Sequence, residues 1–261
     1  MLFRSVSQSR YLVYGVFIGR FAPVHGFINP ENPEDTSTIN GHIKVMVEAL
    51  DKCDYLIVVV GSDNIARNTR TPFTADERIR MIQTAFNWDS RYLSRIIFET
   101  AGDHPYDDNK WIAGIQEAVD AAIASHNAQR IKPEFTNKGW RDYDFRIALA
   151  GMHKDETSYY LNCFPQWSNS IAVQPGTFEG EILSSTGIRN KLFNGQLVHD
   201  TSIHPDVKAM ILRDIEERPE IWNRLKSDWE YEQKYESLWG KGPHTTVDAV
   251  VVQAGHVLLL S

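Results

Sequence analysis

The chain has 261 residues, of which 42% are hydrophobic and 23% charged, and its formal net charge is -7. This composition is typical of a globular protein with one large domain, or one domain and part of another. The acidic balance argues against broad electrostatic binding to a nucleic-acid backbone. No apolar run approaches the ~18 residues of a membrane span, and residues 1–10 lack the apolar core of a signal peptide. The two cysteines have no zinc-ligand spacing, and their scarcity favours a reducing cytoplasm.

Short apolar runs alternate with amphipathic segments along the first two hundred residues. Thr74 is expected to cap one helix, with Glu77 completing a capping box. Several predicted strands end in glycine followed by polar residues, which is typical of an α/β fold with a doubly wound parallel sheet. Such sheets bind ligands beyond the carboxyl ends of their strands. Strands are predicted at 11–18, 55–60, 95–98, 145–150 and 170–173, and helices at 40–53, 75–86, 109–125 and 187–193.

The region after residue 200 has a different character. Residues 206–239 are highly charged and predicted helical, with a break at Pro219, and residues 240–243 read as a linker. Residues 245–252 and 256–260 are strand-like and predict a hairpin. We therefore expect a domain at 1–200, a helical extension at 201–239, and at 240–261 a linker and the start of a second domain.

The strongest functional signal is Gly19-Arg-Phe-Ala-Pro-Val-His25, directly after the first strand, together with Asn40-Gly-His42 at the next helix start. A helix N-terminus offers N–H groups and the positive end of a dipole. Glycine lets a phosphate approach the backbone, and histidines can donate hydrogen bonds to phosphate oxygens. These stretches predict a triphosphate cradle, although the sequence lacks a P-loop. Two unrelated surface histidines are the alternative interpretation.

The second signal is Leu183-Ser-Ser-Thr-Gly-Ile-Arg189, again at a predicted helix start. Hydroxyls of Ser184 and Thr186 and nearby N–H groups can bind phosphate oxygens. Arg189 lies about one turn beyond Thr186, so both can face one anion. A plain capped helix with a solvated arginine is the alternative.

These residues resemble the H-x-G-H nucleotidyltransferase superfamily, and G-R-F-x-P-x-H narrows the resemblance to nicotinamide mononucleotide (NMN) adenylyltransferases. Leu183–Arg189 is similar to the I-S-x-T-x-x-R motif of that family. One feature departs from it, because His25 and His42 are separated by an apparent insertion at residues 26–39. This insertion must loop out if both histidines are to reach one phosphate chain.

Three further segments resemble the same family. Residues 70–82 are similar to its N-P-F-[ST]-x-x-E-R-x-x-M-I segment, which we expect to be a capped helix packed on the sheet. Residues 106–111 resemble the segment that holds the nicotinamide, with Asn109 and an exposed Trp111 that could stack on a pyridinium ring. Residues 151–155 resemble G-x-x-K-D, which nominates Gly151, Lys154 for a phosphate and Asp155 for a ribose or amide. The alternatives are a core tryptophan and a salt-bridged surface turn.

Residues 245–260 resemble the opening strands of a Nudix hydrolase domain, in the order found in fused NMN adenylyltransferase–Nudix proteins. The Nudix box, whose glutamates bind metal, is absent from the 261 residues, so hydrolase activity is expected only if the chain continues. A generic hairpin is an equal alternative.

The resemblance implies transfer of an adenylyl group from ATP to NMN, with Mg²⁺ accompanying the ATP and no protein metal ligand named. His42 and Arg189 are the expected catalytic groups, supported by His25, and substrate binding is expected from Gly19, Arg20, Phe21, Pro23, Gly41, Asn109, Trp111, Gly151, Lys154, Asp155, Ser184 and Thr186. The expected partners are small molecules, without nucleic acid or membrane, and a homo-oligomer is left open. Two alternatives remain: transfer to another phosphate acceptor, including cytidylyl transfer, and a non-catalytic nucleotide-binding regulator.

Overall fold

The computed structural model describes residues 11–130, 144–151, 156–167, 169–173, 183–240, 252–253 and 256–257. The main sheet is formed by β1 (Tyr11–Gly19), β2 (Tyr55–Val60), β3 (Ile96–Thr100), β4 (Asp144–Gly151) and β5 (Asn169–Ala172). Its strands are all parallel and run in the order β3-β2-β1-β4-β5. The predicted doubly wound α/β fold is thus confirmed. Because the order reverses at β1, its carboxyl end lies at the topological switch point, where such sheets bind ligands.

The helices are α1 (Gly41–Leu50), α2 (Ala75–Ala85), α3 (Ser90–Leu93), α4 (Asp108–Arg130), α5 (Ser185–Phe193), α6 (Pro205–Glu217) and α7 (Pro219–Trp239). The predicted capping box is present at α2, where the Thr74 hydroxyl accepts from the Glu77 amide and the Glu77 carboxylate accepts from the Thr74 amide. The short α3 was not predicted, because a single turn carries too little apolar periodicity.

Alternating strand residues bury two separate cores, one on each face of the sheet. In β1, Tyr14, Val16 and Ile18 point to the face covered by α4, whereas Phe17 points to the opposite face. That opposite core includes residues of α1, α2 and α5, and it continues into α6 and α7 through Ile211 and Trp222. Because helices cover both faces of the sheet, residues on both sides of the central strands are buried, and the strand sequences are near-continuous apolar runs.

The helical extension divides at the predicted proline, since α6 ends at Glu217 and α7 begins at Pro219. The boundary predicted at 200–201 stays a prediction. Beyond residue 240 the structure describes only Val252–Gln253 and His256–Val257, which pair antiparallel as β6 and β7. In the described part of the chain, none of the helices combines the length and apolar character that crossing a membrane requires.

Candidate active site

The loop after β1 turns tightly at the switch point. A side chain at Gly19 would approach the Phe21 ring to 2.8 Å, so glycine is needed there. Phe21 has a positive φ of 49° and is 1% exposed, with its ring 5.1 Å from that of His42. The buried Phe21 ring therefore packs edge-on against the imidazole of His42. Only its backbone remains available for the substrate contact predicted from the sequence.

The insertion between the two histidines loops out, as the predicted site requires. The two ends of the loop meet, because a side chain at Gly26 (φ +76°) would lie 1.8 Å from the Asn40 carbonyl oxygen. The imidazoles of His25 and His42 are stacked, with ring centroids 3.7 Å apart and an interplanar angle of 26°. The two rings are therefore in contact despite the insertion between them.

Backbone hydrogen bonds fix this pair. The His42 amide donates to the His25 carbonyl (3.0 Å), and the His25 amide donates to His42 Nδ1 (3.3 Å). Because Nδ1 accepts, the neutral ring carries its proton on Nε2, where it can donate to a phosphate oxygen. Gly41 (φ +60°) makes this possible, since a side chain there would lie 2.2 Å from His25 Nδ1.

The N-terminus of α5 packs directly against the loop after β1. Ser184 caps the helix by accepting from the Gly187 amide (3.1 Å), and the Ser185 hydroxyl donates to the Pro23 carbonyl (3.0 Å). Arg189 donates to the Ala22 carbonyl (2.8 Å) and to the Thr186 hydroxyl (3.0 Å). The predicted convergence of the two distant stretches is therefore present. Ser185, which carries one of the contacts, was not nominated from the sequence.

Positive charge accumulates where these segments meet. Burial, together with repulsion from Arg20 and Arg70, lowers the pKa of Arg189 to about 10, while Glu232 acts in the opposite direction. The guanidinium still carries its charge at neutral pH, and a cluster of this kind attracts a polyphosphate. Arg70 was missed as a site residue because its segment gave only a helix-capping signal.

Another arginine, Arg78 of α2, lies in the core beneath the site. It is fully buried and donates to the carbonyls of Arg20 (2.7 Å), Gly61 (2.6 Å) and Ser62 (3.2 Å). These carbonyls lie just beyond β1 and β2, so one side chain holds both strand ends. Burial lowers its pKa to about 10, with Asp103 and Asp63 opposing the shift.

Trp111 lies in the first turn of α4 and is half-buried rather than exposed as predicted. Its ring packs 6.0 Å from Phe164 and 6.5 Å from Tyr159, at the edge of the core under α4. These aromatic contacts leave the indole partly exposed. Asn109, on the same turn, is exposed.

Gly151 ends β4, the neighbour of β1 across the switch point. A side chain there would lie 2.5 Å from Leu161 Cδ2, so the close packing of the helical turn Glu156–Asn162 requires glycine. The structure therefore gives Gly151 a packing role. Lys154 and Asp155, the other nominated residues of this motif, lie outside the described residues. Among the residues that are described, no group of three or more His, Cys, Asp or Glu side chains could hold a metal ion.

The fold and this site together define an α/β nucleotide-binding protein with cationic side chains gathered at the switch point. The family model for cytidylyltransferase-like proteins matches residues 39–191, and the chain belongs to that family.

Two similar proteins are named as mononucleotide adenylyltransferases. The chain is 29% identical over 216 residues to a nicotinamide/nicotinic acid mononucleotide adenylyltransferase of Acinetobacter baylyi, covering 83% of this chain and 93% of that protein. It is 26% identical over 182 residues to a nicotinamide-nucleotide adenylyltransferase of Thermococcus onnurineus, covering 70% of this chain and 73% of that one.

A solved structure shares the fold. The bifunctional NMN adenylyltransferase/ADP ribose pyrophosphatase of Francisella tularensis superposes with a TM-score of 0.63 at 24% identity, over 94% of this chain. The present chain spans 62% of the length of that protein. A second structure of the Francisella protein, with AMP and a manganese ion, has a TM-score of 0.61 at 21% identity.

Proposed function

We propose that the protein transfers the adenylyl group of ATP to NMN, forming NAD and pyrophosphate. The observation that carries the proposal is the docking of α5 on the loop after β1, which joins Arg189 to the segment that bears His25. The names of the Acinetobacter and Thermococcus relatives support the choice of acceptor.

The reaction needs positioning and charge neutralisation more than acid–base chemistry. The NMN phosphate is already an anion, so it can attack the α-phosphorus of ATP in line without a general base, and pyrophosphate leaves. His42 Nε2–H would donate a hydrogen bond to the triphosphate, and the guanidinium of Arg189 would neutralise charge that develops there. His25, Arg20 and Lys154 support them, and Ser184, Thr186 and the backbone of Gly19 and Gly41 complete the cradle.

ATP would bind as its Mg²⁺ complex, in which the metal would neutralise part of the triphosphate charge. The cationic side chains would act on the α-phosphate and the leaving group. The partly buried Trp111 would stack on the nicotinamide ring with its open side, and Asp155 would bind a ribose or the amide. The expected setting is cytoplasmic, with ATP and NMN as the partners.

The decisive experiment incubates the purified chain with ATP, NMN and Mg²⁺ and measures NAD. We expect NAD from wild type, and a 10²–10³-fold lower kcat from His42→Ala, the order of magnitude for loss of one oxyanion-type donor. The exposed His199, which makes none of the site contacts above, supplies the control His199→Ala with full activity.

Other outcomes separate the alternatives. Product from CTP, or from a phosphate acceptor other than NMN, would assign a different transferase. Tight ATP binding with no product from any acceptor would assign a nucleotide-binding regulator. Full kcat in His42→Ala would remove that residue from the mechanism.

A further inference from the structure

The C-terminal helix α7 contacts two segments that carry arginines of the site. Its Glu232 carboxylate accepts from the Thr69 hydroxyl at 2.8 and 3.0 Å, next to Arg70. One turn earlier, Trp229 Nε1 donates to the Asn190 side chain (3.3 Å), next to Arg189. The Trp229 ring also stacks on Phe193 of α5 at 5.9 Å. One helix therefore spans from the Arg70 turn to α5.

The turn that carries Arg70 is held together by hydrogen bonds within residues 68–71. The Asn68 amide donates to the Thr71 carbonyl and the Thr71 amide donates to the Asn68 carbonyl, each at 3.2 Å. The Asn68 side-chain oxygen accepts from the amides of Arg70 and Thr71, each at 2.9 Å. Because these bonds make residues 68–71 one compact unit, holding the side chain of Thr69 holds the whole turn. Thr69 is 7% exposed, so its hydroxyl is shielded from water.

Electrostatics gives such an anchor a purpose. Arg20 and Arg70 both repel Arg189, so a tether on the turn 68–71 would oppose this repulsion in the absence of nucleotide. Glu232 is an acidic group that acts on Arg189, and its carboxylate also accepts from the Thr69 hydroxyl.

We propose that Glu232 is a positioning residue, whose carboxylate holds the turn 68–71 so that Arg70 stands beside Arg189 to receive the triphosphate. This inference rests on the proposed function. It extends the ATP site to the helical extension, which the sequence places outside the transferase domain. Glu232 acts through Thr69 and touches no reacting atom.

The test compares Glu232→Ala, Glu232→Gln and Thr69→Val with wild type. Glu236→Ala is the matched control, because Glu236 is exposed on the same helix one turn further on. For each protein we would measure kcat, the KM of ATP and of NMN, and the thermal unfolding midpoint. Calorimetry with Mg²⁺ and an ATP analogue methylene-bridged between the α- and β-phosphates measures binding without turnover.

We expect Glu232→Ala to raise the KM of ATP and the Kd of the analogue about tenfold, the loss typical of one charged hydrogen bond. The KM of NMN should stay within about twofold. Glu232→Gln still accepts from the Thr69 hydroxyl, so it should restore most of the affinity. Thr69→Val should weaken analogue binding as much as Glu232→Ala does. The double variant should weaken it little further, because both substitutions remove the same hydrogen bond.

Three results would overturn the inference. The first is an unchanged Kd of the analogue in Glu232→Ala. The second is an equal rise in the KM of ATP and of NMN together with a lowered unfolding midpoint. The third is a Kd of the analogue in Glu232→Gln no lower than in Glu232→Ala. If wild type binds the analogue but makes no NAD, the proposed function fails, while the binding comparison still decides the role of Glu232.

Discussion

Replacing Arg78 with methionine should destabilise the protein more than any exposed substitution in α2. The buried guanidinium donates to four carbonyls, those of Arg20, Gly61, Ser62 and Thr74. The Thr74 carbonyl still accepts from the Arg78 amide in the variant. The other three carbonyls lose the guanidinium as a donor. Each buried group left unsatisfied costs about 1–3 kcal/mol, and relief from burying a charge offsets part of the sum.

We therefore expect a loss of about 3–5 kcal/mol in the free energy of unfolding, measured by urea titration at pH 7. In a domain of this size that corresponds to a fall on the order of 10 °C in the unfolding midpoint. Arg78→Lys has a shorter side chain without the planar guanidinium, so its free energy of unfolding should lie between those of wild type and Arg78→Met. The exposed Arg80 on the same helix supplies the control Arg80→Met, with a change below about 0.5 kcal/mol. A loss under about 1 kcal/mol in Arg78→Met would refute the idea that this side chain joins the strand ends.

Gly41→Ala should lower kcat about 10²-fold with the fold retained, because its methyl group must displace His25, whereas Gly114→Ala, with no atom within 4 Å of the new carbon, should keep full activity. Trp111→Leu should raise the KM of NMN about tenfold and leave that of ATP unchanged, and equal effects on both substrates would remove the stacking role. Burial lowers the pKa of His204 below its ordinary 6.5. The unfolded chain therefore binds the proton more readily than the folded chain, and the free energy of unfolding decreases as pH falls from 6.5 towards this lowered pKa. In His204→Asn, which keeps an acceptor for the Asp206 amide, urea titrations should show a smaller stability loss over that range.

The fold was predictable because each strand and most helices carry their signal locally. The apolar run Tyr55–Val60 and the capping box at Thr74 are complete within a few residues, and the structure contains both. The glycine endings of the strands also placed Gly19 and Gly151 at one edge of the sheet. Element ends shifted by a few residues, most at α4, which extends to Arg130 rather than residue 125.

Candidate site residues could be predicted only where they belong to a motif whose residue types indicate phosphate binding. The histidine pair and the Ser184–Arg189 stretch carry such motifs, and the structure brings them together. Arg70 and Glu232 do not, because Arg70 lies in a capping segment and Glu232 on a charged helix. The Thr69–Glu232 bond joins residues 163 positions apart, and no periodicity encodes such a contact. Long-range polar contacts of this kind become visible only in the folded chain.

The insertion between His25 and His42 shows what contact between the two histidines requires. Chain distance between the histidines is irrelevant as long as their backbones meet, and here the loop closes on itself before α1 begins. Its return depends on Gly26, whose backbone lies against Asn40, and on Gly41, whose missing side chain leaves room for the His25 ring. The loop is also tied down, because the Gly26 amide donates to the Ser202 carbonyl (2.9 Å) and the Ile28 amide to the Ala85 carbonyl (2.9 Å). A loop anchored at its base can lengthen at its tip without moving the rings. It follows that two glycines and the base contacts, rather than a fixed spacing, define this half of the site.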